Sequence, residues 1–317
     1  MANFFKSLFF GDAEETEEQK AKKNFDVLKY DGIRAARIGK TDFAIRCFNE
    51  ALKIQEDVEI REQLMNAYAR ENRLEEAEEA AGSLLAVEPD NIEVLLVRAR
   101  LNYMIEQYDK VVADCQHVVN IDNNEARAHY LAGRARHKSG DREGAVASLS
   151  KAIEIKDDFT EACLLRGELM FEAEDFSHGL LDAEKVIGLL PEDEQAYLLR
   201  GKCHEAMKDF QDAEHDYRHV TELNPFNEQA YLSLGYLYIA KEQLDEAVSL
   251  FNEAIDLEPD FVEAYVGRAK VLEMKGDQEG ARADLQKVQE LDPSDKETKL
   301  KNGTYSDFGD MYKSRPL

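Results

Sequence analysis

Cysteine is scarce in this 317-residue chain. There are four, Cys47, Cys115, Cys163 and Cys203, and no two stand at Cys-x-x-Cys spacing. That pattern excludes a disulfide frame or zinc site and leaves small hydrophobes inside helical segments. It suits a reducing compartment, so the expected location is cytoplasmic. Long apolar runs are missing as well. The N-terminal cluster Phe4, Phe5, Leu8, Phe9, Phe10 is too short for a secretory signal or a spanning helix and is followed at once by acids. Basic residues are outnumbered 40 to 66, giving a net charge of −26. Such a charge repels phosphate backbones and anionic lipid, so neither nucleic acid nor bulk membrane is an expected partner. Any membrane contact would be weak, through Phe4, Phe5, Leu8 and Phe9.

Motifs that carry chemistry are also wanting. There is no Gly-x-Ser-x-Gly elbow and no dinucleotide fingerprint. Gly39-Lys40-Thr41 looks like the end of a phosphate-binding loop, but Arg34 stands where that loop needs glycine, so an inter-helix turn is expected. His215 and His219 have the i, i+4 spacing that can hold zinc, yet no third ligand is evident, and an exposed, solvated pair is expected. No catalytic residue, metal or cofactor is therefore expected, and the chain does not read as an enzyme.

Proline is scarce too, but its placement is informative. Pro89, Pro191, Pro225, Pro259 and Pro293 are separated by 102, 34, 34 and 34 residues, and 102 is three times 34. A 34-residue period marks a helix–turn–helix array. With each of these prolines as residue 32 of its unit, position 8 reads Met65, Ala99, Gly133, Gly167, Gly201, Gly235 and Ala269. Position 20 is nearly always Ala or Gly, and positions 24 and 27 carry the apolar stripe of a second helix, as in Tyr217 and Val220 or Phe251 and Ala254. Small residues at 8 and 20 let the two helices cross closely. Turns such as Ser139-Gly140-Asp141 separate the helices, proline ends the second one, and Asp, Asn or Ser near each junction caps the next.

These residues resemble the tetratricopeptide repeat, with small residues at 8 and 20, an aromatic at 24, a small residue at 27 and proline at 32. The match is fullest over 228–261 and weakest at Met65, Asn123 and Asp157. The resemblance implies an all-α solenoid of antiparallel helix pairs wound into a right-handed superhelix. Eight units are expected over 25–57, 58–91, 92–125, 126–159, 160–193, 194–227, 228–261 and 262–295. Residues 1–24 form an apolar and acidic leader, and 296–317 a capping helix and tail.

In this family the first helix of each unit lines the concave face through positions 2, 5, 9, 12 and 13. From the third unit on, position 5 is Leu96, Tyr130, Leu164, Leu198 and Leu232, and position 9 includes Arg100, Arg134, Lys202, Tyr236 and Lys270. Arg127 and Lys138 add charge near the fourth unit. An apolar ladder beside a basic row, in an acidic protein, implies a protein or peptide partner that is apolar with acidic groups. The lysine–asparagine clamp and the position-6 asparagine ladder of well-known subfamilies are both missing, so neither ligand class transfers. The expected function is a non-catalytic, monomeric interaction scaffold. The alternative is a structural subunit of an enzyme or membrane complex that docks through its N- or C-terminal tail.

Overall fold

The computed structural model describes residues 16–291. Among them are sixteen α-helices and no strand: α1 (Glu17–Arg37), α2 (Thr41–Ile54), α3 (Val58–Arg70), α4 (Leu74–Leu85), α5 (Ile92–Met104), α6 (Tyr108–Ile121), α7 (Ala126–Lys138), α8 (Arg142–Ile155), α9 (Thr160–Glu172), α10 (Phe176–Leu189), α11 (Glu194–Ala206), α12 (Phe210–Leu223), α13 (Glu228–Ala240), α14 (Leu244–Leu257), α15 (Val262–Met274) and α16 (Gln278–Leu291). They pair as α1–α2, α3–α4 and so on, one pair per unit. Pro293, the aromatic leader at Phe4, Phe5, Leu8 and Phe9, and the proposed cap and tail at 296–317 lie outside the described residues.

The first helix departs from expectation. It begins at Glu17, eight residues before the proposed unit boundary at 25. The reason is local: Thr16 and Gln19 form a reciprocal capping box, and Glu17 and Glu18 sit at the positive end of the helix dipole. At four later first helices the caps follow the sequence, whereas Glu125 caps α7 and Phe261 precedes α15 without a side-chain cap. Asp57, Asn91, Asp193 and Asn227 accept from backbone N–H groups of the helix that follows, at 2.8–3.2 Å.

The turn inside each unit is uniform. Gly39, Asn72, Glu106, Gly140, Glu174, Lys208, Glu242 and Gly276, all at position 15, have φ between +56° and +86°. The next N–H reaches back five residues, as Arg73 N to Tyr68 O at 3.0 Å. This is the left-handed cap that ends a helix and reverses the chain. It also settles Gly39-Lys40-Thr41 as a turn, with Thr41 buried.

The chain divides into two compact units, Met1–Ala162 and Cys163–Leu317. In the first, one core gathers Phe25, Phe48, Ile60 and Leu64 from α1–α3, and a second gathers Leu84, Leu95, Val111, Val118 and Leu131 from α4–α7. In the second unit Tyr217, Leu234, Leu237, Phe251, Phe261 and Tyr265 form the main core. The small residue at position 8 has a specific purpose there. A Cβ on Gly235 or on Gly267 would lie 2.4 Å from Phe251 Cζ, so the buried ring is seated between two glycines of successive first helices. All four cysteines are buried, and none is in a disulfide. Burial pushes the Cys115 and Cys203 thiols up to about 12, so neither is a thiolate at neutral pH.

Candidate interaction surface

Equivalent positions on successive first helices touch. In the first compact unit, Arg127 at position 2 of α7 donates to Glu93 at position 2 of α5, 2.6 Å from Nη2 to Oε1, and also to Glu125 at 2.7 Å. Those two carboxylates, Glu125 first, hold the Arg127 guanidinium far above its ordinary range, and Arg127 in turn holds the Glu93 carboxyl low. Arg127 is thus neutralised within the chain. Arg134 is different. It makes no ion pair among the described residues, and its guanidinium lies over the Tyr103 ring at 4.3 Å and the Tyr130 ring at 5.6 Å. Tyr130 is half-buried against Phe159, with ring centroids 4.8 Å apart. Arg100 and Lys138 are exposed and form no ion pair or hydrogen bond among the described residues. Three cations on α5 and α7 therefore lack a bonded carboxylate among the described residues, and one lies over two tyrosine rings.

The position-5 leucines are not an open ladder. Leu96 is 2% exposed and belongs to the α4–α7 core. In the second compact unit Leu198 is buried in the main core, while Leu164 and Leu232 are half-buried and pack against cores. The apolar area of these leucines is thus taken up largely by core packing. The basic residues of that unit are also drawn inward. Burial lowers the Lys202 ammonium, which Glu168 and Glu205 partly support, and it lowers Lys270, whose Nζ lies 5.3 Å from the Tyr236 ring centroid. The two histidines differ from each other. His215 is exposed, but the His219 ring packs on Tyr197 at 4.5 Å. No group of three metal-ligating side chains occurs among the described residues.

One regular device escaped the column analysis. At positions 7 and 23, Arg98–Asp114, Arg166–Asp182, Arg200–Asp216 and Arg268–Asp284 form two-pronged ion pairs, Nε to Oδ2 at 2.8–2.9 Å and Nη2 to Oδ1 at 2.5–2.6 Å. Each aspartate is buried, and each pair ties the two helices of one unit together. The signal was present as an arginine followed sixteen residues later by aspartate, recurring in the 34-residue register. Their contribution is structural, since every one of these carboxylates already has its partner.

Models of the tetratricopeptide repeat match residues 126–159, 198–259 and 232–296. Among solved structures, a tetratricopeptide repeat protein from Parabacteroides merdae is 15% identical, with a TM-score of 0.58 over 76% of this chain and 96% of that one. The C-terminal part of a repeat-containing protein from Cytophaga hutchinsonii is 18% identical, with a TM-score of 0.62 over 76% and 98%. MamA from Desulfovibrio magneticus RS-1 is 18% identical, with a TM-score of 0.51 over 54% and 96%. No curated protein matches the sequence. At such identities the likeness is one of fold, and it agrees with the 34-residue register, the glycine–aromatic seats and the uniform left-handed turns. The chain carries tetratricopeptide repeats over residues 126–159 and 198–296 and has the fold of a tetratricopeptide-repeat protein.

Proposed function

We propose that this protein is a non-catalytic interaction scaffold that takes an acidic, partly apolar segment of a partner on the first-helix face of α5 and α7. The observation that carries the reading is the state of Arg100, Arg134 and Lys138. In a protein with net charge −26, these three cations have no bonded carboxylate among the described residues. Tyr103 and Tyr130 hold the Arg134 guanidinium in place, which lowers the entropy lost when it meets an incoming carboxylate. An apolar partner residue would rest on the half-buried Tyr130. Arg127 and Leu96 support this surface from within the first compact unit, and Lys202, Leu198 and Lys270 serve the packing of the second. In the same reading the scaffold is cytoplasmic and monomeric. No helix among the described residues is long and apolar enough to cross a membrane.

The test is the double variant Arg100→Glu/Arg134→Glu in the full chain. Exposed Arg100 contributes about 0–1 kcal/mol to folding and the ring contacts of half-buried Arg134 about 0.5–1 kcal/mol, so the melting temperature should fall by no more than a few degrees. Capture of the native partner should fall at least about tenfold, and its dependence on salt should flatten. Undiminished capture by a folded double variant would remove this surface from consideration and direct attention to residues 1–15 and 292–317.

A further inference from the structure

The two-pronged Arg–Asp pair is missing from the fourth repeat, and a cleft stands where it would be. Positions 7 and 23 are Arg and Asp in the third, fifth, sixth and eighth repeats, and Leu234 and Leu250 in the seventh. In the fourth they are Ala132 and Ser148, both small. Between α6 and α8, over α7, the structure has an open cleft of ≈ 220 Å³ that Ala132 and Ser148 line. Its polar lining is Gln116, His129, Arg136, Ser148 and Lys151, with Val112 and Val119 on the apolar side. No carboxylate lines it, although the protein has 66 acidic residues.

Arg136, from position 11, reaches into the space that an arginine at position 7 would fill. Its Nη1 donates to the Ser148 hydroxyl, which itself donates to Gly144 O at 2.6 Å. The nearest carboxylate, Asp141 Oδ2, is 3.8 Å from Nε, beyond hydrogen-bonding distance, and Asp141 is engaged in capping α8 through Gly144 N at 2.9 Å. The other cleft donors are lightly engaged. Lys151 pairs with exposed Glu154 at 3.0 Å, and His129 contacts Asn123 O at 3.3 Å. In four other repeats a half-buried guanidinium between the same pair of helices is satisfied by two carboxylate oxygens. Here the guanidinium is present and the carboxylate is not.

We infer that this cleft is a carboxylate-binding site, in which a ligand's carboxylate takes the place of the missing position-23 aspartate on Arg136 and Lys151. The ligand's hydrocarbon part would lie on Val112 and Val119. The site is lined by α6, α7 and α8 and uses none of Arg100, Arg134 and Lys138, so it does not depend on the surface proposed above. Its carboxylate could come from a free small dicarboxylate or from an Asp or Glu side chain of another protein.

Full-length protein would be titrated with glutarate and, separately, with the blocked peptide acetyl-Gly-Glu-Gly-amide, following the backbone amide resonances of α7 and α8, which every variant retains. Glutaramide and the matching Gln peptide serve as neutral controls. Saturable shifts with at least one acid and neither control are expected. Binding of glutarate would mark a small-molecule site, and binding of the peptide alone a protein side chain. Ser148→Asp supplies the repeat's own counter-ion, so it should weaken binding at least about tenfold while leaving the melting temperature equal or higher. Arg136→Gln should weaken binding to the same extent, and Arg100→Glu/Arg134→Glu should leave it unchanged. Absence of a saturable shift with both acids, or undiminished binding by Ser148→Asp, would overturn the inference.

Discussion

Among single residues, Glu205 is a half-buried carboxyl whose surroundings disfavour its charge. Burial on α11 pushes its carboxyl above the ordinary value, although Tyr217 Oη donates to Oε2 at 2.9 Å and Lys202 lies near enough to lower it again. A carboxyl whose folded pKa is raised binds more protons in the native state than in the unfolded one. Its contribution is therefore fully present below the unfolded value of about 4.3 and is lost as pH rises through the raised folded value. At neutral pH the charged, half-buried carboxylate weakens the fold. Glu205→Gln keeps an acceptor for Tyr217 and removes the charge. It should be more stable than the native chain at pH 7.5 and closely matched to it at pH 4. Chemical melts at the two pH values check this, and a variant less stable at pH 7.5 would show that the ion interaction with Lys202 outweighs desolvation.

Among elements, the helix pair is set by its turn, and four turns carry an ill-suited residue. Glu106, Glu174, Lys208 and Glu242 adopt φ of +59° to +69° at position 15. The left-handed region costs an L-residue roughly 1–2 kcal/mol. Glycine avoids that cost but returns about 0.5–1 kcal/mol through the freedom of the unfolded chain. Glu174→Gly and Lys208→Gly should each stabilise the protein by roughly 0.5–1 kcal/mol, read as a higher urea midpoint at unchanged slope. Gly140→Ala should move the midpoint the other way. The sequence made the turn itself visible, since Gly140 and Gly276 mark it in two units, and the period carried the rest. What the period could not give was which side of a first helix each residue faces. Position 5 looked like a ligand-facing ladder because leucine is apolar in either role, and only the packing of Leu96 and Leu198 into cores decides it. The cations at positions 2, 9 and 13 were legible in the sequence, but not their division into paired, desolvated and unpaired heads. That division depends on acids in neighbouring units, such as Glu93 for Arg127 and Glu168 for Lys202. The arginines at position 7 were hidden for the opposite reason. A charge on an amphipathic helix reads as solvated, and nothing short of the matching column of buried aspartates reveals that it is not.

Across the whole molecule, stability in a repeat array is a sum of units and nearest-neighbour interfaces, so damage should stay near its origin. Phe251 offers a sharp test, because its ring is seated between Gly235 of its own repeat and Gly267 of the next, with no exposed surface. At 2.4 Å from the ring, the Cβ of any other residue at 235 must displace it, and Gly267 on the other side leaves no room to retreat. Leucine there adds further bulk to the same seat. Overpacking of this kind costs about 1–3 kcal/mol, more than the ~1 kcal/mol that replacing a mid-helix glycine returns in propensity. Gly235→Leu is therefore expected to lower the melting temperature and to speed amide exchange in α13, α14 and α15, whose contacts meet at this ring. The compact unit Met1–Ala162 has its own two cores around Phe48 and Leu95, neither of which includes a residue beyond 135. Exchange in α1 to α8 should keep its native protection. Uniform loss of protection from α1 to α16 would show instead that the array unfolds as one cooperative body, and that its two compact units are a division of contacts without a division of stability.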